Sequence, residues 1–175
     1  MGWLDFYFSI VEIFPRTATK AIAMTTHPTI TPALFYLNPR AALDFLRDAF
    51  GFELDFMIED EGGNLVHSQM MYGAGRIMVG AEWSEDHKSP KSVGGKNTQT
   101  THLQLDEDVD AHCETARKAG AEIIAEPETQ FYGDRTYRAR DPEGHIWTFA
   151  RTVEVLTPEQ WDKKSGLKTT SSGKA

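Results

Sequence analysis

The side chains of this sequence best suited to chemistry are a histidine and a glutamine that alternate along one short segment. His102 and Gln104 fall on one face of a predicted β-strand, and Leu103 and Leu105 fall on the other. An imidazole in this position can bind a metal ion, act as a base or anchor a polar ligand. A buried histidine with a hydrogen-bond partner is the commoner case in proteins. We therefore expect His102 to be a hydrogen-bonding residue of a cavity, with Gln104 assisting it.

Four further residues are candidates for binding a ligand. His67 and Gln69 alternate in the same way on another predicted strand, and they add two donors if that strand faces the same cavity. Tyr132 either lines the cavity or packs in a sheet. Trp83 either stacks on a flat ligand or covers the rim of the core.

The arginines of one predicted strand bear on the charge of the ligand. Arg135 either binds an anionic group through two parallel hydrogen bonds or pairs with Asp134 or Asp141. Arg138 and Arg140 share one face of this strand. If that face lines the cavity, the expected ligand is acidic; if it lies at the rim, both are solvated charges.

The composition excludes several classes of protein. The chain has 175 residues, 40% of them hydrophobic, so it can bury a sizeable core. Its net charge of −8 argues against a nucleic-acid partner, which needs a basic face. No apolar stretch is long enough to span a bilayer, and the single cysteine, Cys113, excludes an internal disulfide. We expect a cytoplasmic protein with no membrane partner, and no nucleophilic role for Cys113, because no cation lies beside it in sequence.

The predicted elements occur in the same order twice. In each half a strand is followed by a helix, which is capped by Asn38 or Asp108 and ended by Gly51 or Gly120, and then by three more strands. The two helix-ending glycines lie about seventy residues apart. The sequence therefore predicts an α+β fold of two tandem βαβββ modules, each a curved mixed sheet with a helix on its outer side.

A turn in the second half has a physical reason for each of its corner residues. Residues 141–144 read Asp-Pro-Glu-Gly, in which the proline presets φ, the aspartate can bond the backbone ahead and the glycine accepts a positive φ. On the strand that follows, we expect Trp147 and Phe149 to pack in the core beneath the helix. Ile146 and Thr148 then face the cavity and join the predicted ligand-binding residues.

Several motifs of the two halves resemble those of one known superfamily. They are Thr31-Pro32, Phe50-Gly51-Phe52, Asp108-Val109-Asp110, Ala119-Gly120-Ala121, Tyr132-Gly133-Asp134-Arg135 and Asp141-Pro142-Glu143-Gly144-His145-Ile146-Trp147. With the tandem βαβββ order, they resemble the vicinal oxygen chelate superfamily of glyoxalases, bleomycin-resistance proteins and extradiol dioxygenases, in its PhnB-like branch. The resemblance covers roughly Ile30 to Glu154. It implies two half-barrels that enclose one cavity.

The enzymes of this superfamily hold a divalent metal ion through His, Gln and Glu side chains from matching strands of both modules. At the position of the last-strand glutamate this sequence has Thr148, and Val79 stands at its counterpart in the first module. Thr31 lies near the matching place on the first strand, so only His102 is a credible ligand. A divalent metal needs roughly three or four N or O ligands with charge to offset its own. We therefore predict no metal and no other cofactor.

The predicted organisation has five segments. Residues 1–23 form an N-terminal extension, with Met24 as an alternative start, unless they form a short element that packs on a partner subunit. Residues 30–82 form the first module, 83–98 a linker or a loop over the site, and 99–154 the second module; both modules belong to one domain. Residues 155–175 form a tail that is predicted to be largely disordered.

Three functions from different classes fit these features. The first is a protein of the bleomycin-resistance kind that binds a small aromatic or amphipathic molecule in an inter-module cavity without a metal. The alternative is a metal-dependent lyase, isomerase or dioxygenase with an atypical ligand set that includes His102. A scaffold without a ligand ranks last. Because half-barrels leave open sheet edges, we also expect a homodimer.

Overall fold

The computed structural model describes residues 28–171, so the predicted N-terminal extension lies outside the described residues. Its first module contains β1 (Ala33–Tyr36), α1 (Pro39–Phe50), β2 (Glu53–Glu59), β3 (Leu65–Tyr72) and β4 (Gly75–Ala81). A 3₁₀ turn (Pro90–Val93) follows. The second module contains β5 (Thr100–Gln104), α2 (Val109–Lys118), β6 (Glu122–Thr129), β7 (Asp134–Arg140) and β8 (Ile146–Thr152), and the helix α3 (Pro158–Ser165) comes after it.

The predicted α+β fold of two βαβββ modules is confirmed. The strands of the first sheet lie in the order β1-β4-β3-β2, and those of the second lie in the equivalent order β5-β8-β7-β6. In each sheet the first strand pairs with the last in parallel and the other pairs are antiparallel. Both sheets are therefore mixed. None of the helices within residues 28–171 is long and apolar enough to cross a membrane.

The helix that covers the first sheet begins and ends where its residue types require. The Asn38 side chain accepts a hydrogen bond from the Ala41 amide, Pro39 occupies the first turn, and Gly51 ends the helix in the left-handed region. The buried side of the helix consists of Ala42, Leu43, Leu46, Ala49 and Phe50.

One continuous hydrophobic core runs through both modules. Trp147 and Phe149 on β8 are fully buried, as their alternation predicts. Their partners include residues of the first module: the Phe50 ring lies 4.8 Å from that of Phe149 and 5.4 Å from that of Trp147, and the Phe52 ring lies 5.6 Å from Trp147. The helix-bearing sides of the two sheets thus pack together. Each sheet turns its other side, which we call its open face, away from this core.

The open faces correct one expectation. Two half-barrels were expected to enclose a single cavity, but Phe56 and Ile58 on β2 remain 39% and 50% exposed. His102 and Arg138 on the second open face are exposed as well. Within one chain, the open faces are therefore accessible to solvent.

The turn at residues 141–144 also joins the two modules through a buried carboxylate. One oxygen of Asp141 accepts hydrogen bonds from the Tyr36 hydroxyl at 2.7 Å and the Trp147 indole at 3.2 Å. Its other oxygen accepts from the amides of Glu143 and His145, both at 3.0 Å. Burial, together with Asp141, holds the pKa of the Tyr36 hydroxyl well above its ordinary value. The tyrosine is therefore a permanent donor to this carboxylate.

Glu143 continues this connection into the segment between β1 and α1. Its carboxylate accepts hydrogen bonds from the Leu37 amide at 2.7 Å, the Asn38 amide at 2.9 Å and the Ser89 hydroxyl at 2.7 Å. Because two of these donors lie at the start of α1, a turn of the second module fixes the first helix. We call Asp141 and Glu143 the inter-module clamp.

The helix α3 corrects the prediction for the C-terminal tail. Residues 155–175 were expected to be largely disordered, but Pro158–Ser165 are helical. Thr157 and Gln160 form a reciprocal capping box, Pro158 occupies the first turn and Gly166 ends the helix. Local capping accounts for this helix, since none of its residues is buried.

His112 on α2 gives the fold a predictable dependence on pH. This buried imidazole lies 2.6 Å from the Tyr137 hydroxyl through Nδ1 and 3.4 Å from the Phe50 carbonyl through Nε2. Burial lowers its pKa from the ordinary 6.5. Protonation therefore favours the unfolded chain, and the free energy of unfolding should fall as the pH drops below 6.5 towards the folded-state pKa. His112→Gln should flatten this slope in urea unfolding measured at several pH values; an unchanged slope would assign the dependence to other groups.

Candidate functional site

The open face of the second sheet carries a row of three polar side chains. Strand register places His102 of β5 beside Thr148 of β8, and Thr148 beside Arg138 of β7. Tyr132 lies nearby, in the turn before β7. Burial and then Asp134 raise the pKa of its hydroxyl, which the charge of Arg138 opposes. The structure thus gathers three of the predicted binding residues, His102, Thr148 and Tyr132.

Gln104 and His102 differ in their partners. The Gln104 amide lies 3.4 Å from Asp134, whose other oxygen accepts from the Thr152 hydroxyl at 2.7 Å. His102 makes no hydrogen bond or ion pair within residues 28–171. The expected satisfied histidine is not present, and the imidazole remains available to a ligand.

A cleft of about 450 Å³ lies between the two modules beside His102. One wall comes from β5 and includes His102, Leu103 and Gln104. The opposite wall comes from the first module and is mainly apolar. It includes Ile30, Pro32, Phe52, Tyr72 and Ile77. The cleft therefore combines an apolar surface with several polar groups, among them His102, Gln104 and Asp106 of the second module and Arg76 of the first.

Ile146 lies outside this cleft. It lines a smaller cavity of about 290 Å³ together with Phe35 of β1 and residues of the segment that joins the modules, such as Lys96. The linker thus covers the junction of the two sheets here. Ile146 and His102 belong to the same sheet but to different cavities.

His67 and Gln69 lie on the open face of the first sheet, apart from His102. The His67 ring packs 5.8 Å from that of Phe56, and Gln69 is paired in register with Phe56 and Met78. Gln69 is only 8% exposed, and no group of residues 28–171 bonds its Oε1. This apolar face therefore contains a buried acceptor without a partner.

Arg135 and Trp83 occupy places that the sequence did not indicate. Arg135 points to the helix side, where its guanidinium donates hydrogen bonds to both carboxylate oxygens of Asp110, at 2.5 and 2.6 Å. The bonds from Arg135 lower the pKa of Asp110. The acid expected to pair with it was Asp134 or Asp141, so its partner is corrected to Asp110. Trp83 is 69% exposed and stacks on His87 at 4.1 Å between ring centroids.

The donors at the superfamily's metal position do not fit a divalent ion. His102 and Thr148 supply one imidazole and one hydroxyl. Val79, the expected counterpart of Thr148, is fully buried on the helix side, and Met78 takes the place on the open face. No group of three or more His, Cys, Asp or Glu side chains in the described part of the chain could hold a metal. This set lacks both the ligand number and the charge that such an ion requires.

Cys113 is the single thiol of the chain and lies fully buried on α2. Burial raises its pKa to about 11. Because the thiolate is the reactive form, this side chain is unsuited to nucleophilic chemistry at neutral pH.

Comparisons with known proteins agree with this architecture. A family model described as the Glyoxalase/Bleomycin resistance protein/Dioxygenase superfamily matches residues 27–149. An uncharacterized protein of Mycobacterium tuberculosis (strain H37Rv) is 27% identical over 143 residues, which cover 79% of this chain and 83% of that protein.

Solved structures show the same fold. TioX from Micromonospora sp. ML1 is 29% identical with a TM-score of 0.57, and the match covers 74% of this chain and 100% of TioX. The fosfomycin resistance protein FosX from Listeria monocytogenes is 15% identical with a TM-score of 0.54, over 77% of this chain and 97% of FosX. At 15% identity the likeness to FosX concerns the fold alone.

Proposed function

The chain belongs to the glyoxalase/bleomycin resistance protein/dioxygenase superfamily, and on that premise we propose that it binds a small aromatic or amphipathic molecule without a metal ion. The observation that best supports this proposal is the cleft between the modules. Its volume of about 450 Å³ lies in the range of about 300–1,000 Å³ typical of small-molecule sites. An apolar lining with a few polar groups is also typical of such sites.

The polar groups of the cleft indicate how the molecule is held. The apolar wall formed by residues such as Phe52, Tyr72 and Ile77 would bury a flat or amphipathic body. His102, which has no partner in residues 28–171, and Gln104 would bond its polar end. The imidazole of His102 and the hydroxyl of Thr148 support binding without a metal, because neither group carries negative charge to offset that of a divalent ion.

One observation favours a second function. Metal ligation requires one ring nitrogen free of other partners, and neither ring nitrogen of His102 has a partner in the described chain. The alternative is therefore a metal-dependent lyase, isomerase or dioxygenase that completes its ligand set from elsewhere. Protein purified without chelator distinguishes the two: stoichiometric zinc, nickel, manganese or iron would contradict the metal-independent proposal.

We also propose that two copies associate through the open faces. The apolar side chains left on the first open face include Phe56 and Ile58, which are 39% and 50% exposed. Contiguous apolar surface of this kind commonly marks a protein interface. A homodimer would cover it and enlarge the binding space beside the second sheet.

The proposal predicts saturable binding of a neutral aromatic alcohol. 2-Naphthalenemethanol should bind with a micromolar to millimolar dissociation constant in isothermal calorimetry, as expected for a ligand of this size. His102→Ala should weaken binding about threefold to tenfold, because one hydrogen bond is lost. The melting temperature should not change, since His102 is exposed and makes no bond within residues 28–171.

Thr100→Ala is the matched control for this experiment. Thr100 lies two residues earlier on the same face and outside the cleft, so its removal should leave the affinity unchanged. Equal affinities of wild type and His102→Ala would place the ligand elsewhere. No binding of this alcohol or of an anion with the same aromatic body would contradict the proposed function.

A further inference from the structure

The charge of the second open face bears on the chemical class of the ligand. The row His102, Thr148 and Arg138 crosses three neighbouring strands. Since neighbouring strands lie about 4.8 Å apart, the three side chains are aligned over about 10 Å. Arg138 therefore lies on the face that carries His102, and not on the helix side where Arg135 is found. The sequence predicts an acidic ligand if this face lines the binding space and solvated charges if it lies at the rim; Arg138 itself is exposed beside the cleft-lining His102 face.

Arg138 differs from the other arginines of β7 in having no counter-ion. Arg135 is held by Asp110, and Arg140 donates to Glu122 at 2.8 Å. The residue opposite Arg138 on β6 is Ala125, which carries no charge. Among residues 28–171, Arg138 makes no hydrogen bond or ion pair, although the whole chain has a net charge of −8. An unpaired guanidinium in an acidic protein is available to donate hydrogen bonds to an anion.

Two acids of the same face are bonded to other groups, and a third, Glu128, is paired in register with Thr136, away from the row. Asp134 accepts from Gln104 and Thr152, and Glu122 accepts from Arg140. Neither forms an ion pair with Arg138. The centre of the row therefore presents a guanidinium, a hydroxyl and an imidazole without a carboxylate between them.

We infer that this row binds the anionic group, a carboxylate or a phosphate, of the ligand. A guanidinium can bind either group through two parallel hydrogen bonds, and the Thr148 hydroxyl and the His102 imidazole add donors beside it. This inference rests on the proposed function and specifies it: the molecule is an amphipathic anion. Its apolar body occupies the cleft while its charged end lies along the row.

Three probes with one aromatic body test the inference: 2-naphthoate, 2-naphthyl phosphate and neutral 2-naphthalenemethanol. At low salt, the wild-type protein should bind at least one anion about tenfold more tightly than the alcohol. Arg138→Gln should weaken binding of that anion about tenfold to hundredfold and leave the alcohol unaffected. Added sodium chloride should reduce the preference. Tighter binding of the phosphate indicates a tetrahedral group, and tighter binding of the carboxylate a planar one.

Arg140→Gln is the control. It removes the same charge two residues further along β7, and the guanidinium of Arg140 already has a partner in Glu122. It should change the affinity of each probe by less than about twofold, a shift within the scatter of near-neutral surface changes. Anions that bind no tighter than the alcohol, or equal losses in the two variants, would overturn the inference and leave the proposed function standing. Failure of all three probes to bind would overturn both.

Discussion

Replacing Gly133 with alanine should destabilise the protein by roughly 2–6 kcal/mol, the sum of about 1–3 for backbone strain and about 1–3 for steric overlap. Gly133 lies before β7 with φ at +100°, a conformation that L-residues rarely adopt. A Cβ atom at this position would overlap the carbonyl oxygen of Glu154, which belongs to the backbone and cannot rotate away. The Gly133 carbonyl also accepts hydrogen bonds from the amides of Val153 and Glu154. These bonds hold the turn before β7 against the segment that follows β8.

Gly120 offers a control with the same backbone conformation. Its φ is +99°, but an alanine Cβ at this position would meet no atom within 4 Å. Gly120→Ala should therefore show the strain alone, about 1–3 kcal/mol, in urea unfolding. Similar losses in the two variants would mean that the segment around Glu154 moves aside, and the packing described here would be wrong.

Removing the Asp141 carboxylate should cost roughly 3–5 kcal/mol, because it leaves several buried donors without an acceptor. The Asp141→Ala variant loses the bonds from the Tyr36 hydroxyl, the Trp147 indole and two turn amides. Both aromatic donors are fully buried, so water cannot readily replace the carboxylate. Urea unfolding followed by tryptophan fluorescence measures the loss.

Asp60 provides the comparison, since it forms the same kind of turn at the surface. One oxygen of Asp60 accepts hydrogen bonds from the amides of Gly62 and Asn64, two and four residues ahead. One oxygen of Asp141 accepts the same pair of bonds in its own turn. The Asp60 turn is exposed, and no distant side chain bonds its carboxylate among the described residues. Asp60→Ala should cost less than about 1.5 kcal/mol. If Asp141→Ala costs no more than this, the clamp does not stabilise the fold.

The parts of the structure that depend on local periodicity could be predicted from the sequence. Helix caps such as Asn38 and the alternation around Trp147 and Phe149 lie within a few residues of what they determine. The order of elements, repeated about seventy residues apart, then determined the fold class. For the same reason the shared face of His102 and Thr148 was predictable from their strands alone.

The contacts between distant residues could not be predicted. The partner of Arg135 is Asp110, which lies 25 residues away on a helix whose position the strand pattern does not define. Val79 was placed on the wrong face because counting from a turn glycine errs by one residue when the two turns differ, and one residue inverts a strand face. The helical role of Pro158–Ser165 was missed because composition outweighed the capping signal of Thr157 and Gln160.

The inter-module clamp also has a consequence for synthesis on the ribosome. Glu143 accepts the amides of Leu37 and Asn38, which are translated 106 and 105 positions earlier. A nascent chain that has completed α1 therefore lacks the carboxylate that binds these amides, and Phe50 has no β8 to pack against. The early half must emerge with its apolar surface uncovered, and it becomes a natural client for chaperones until the last strand has left the exit tunnel.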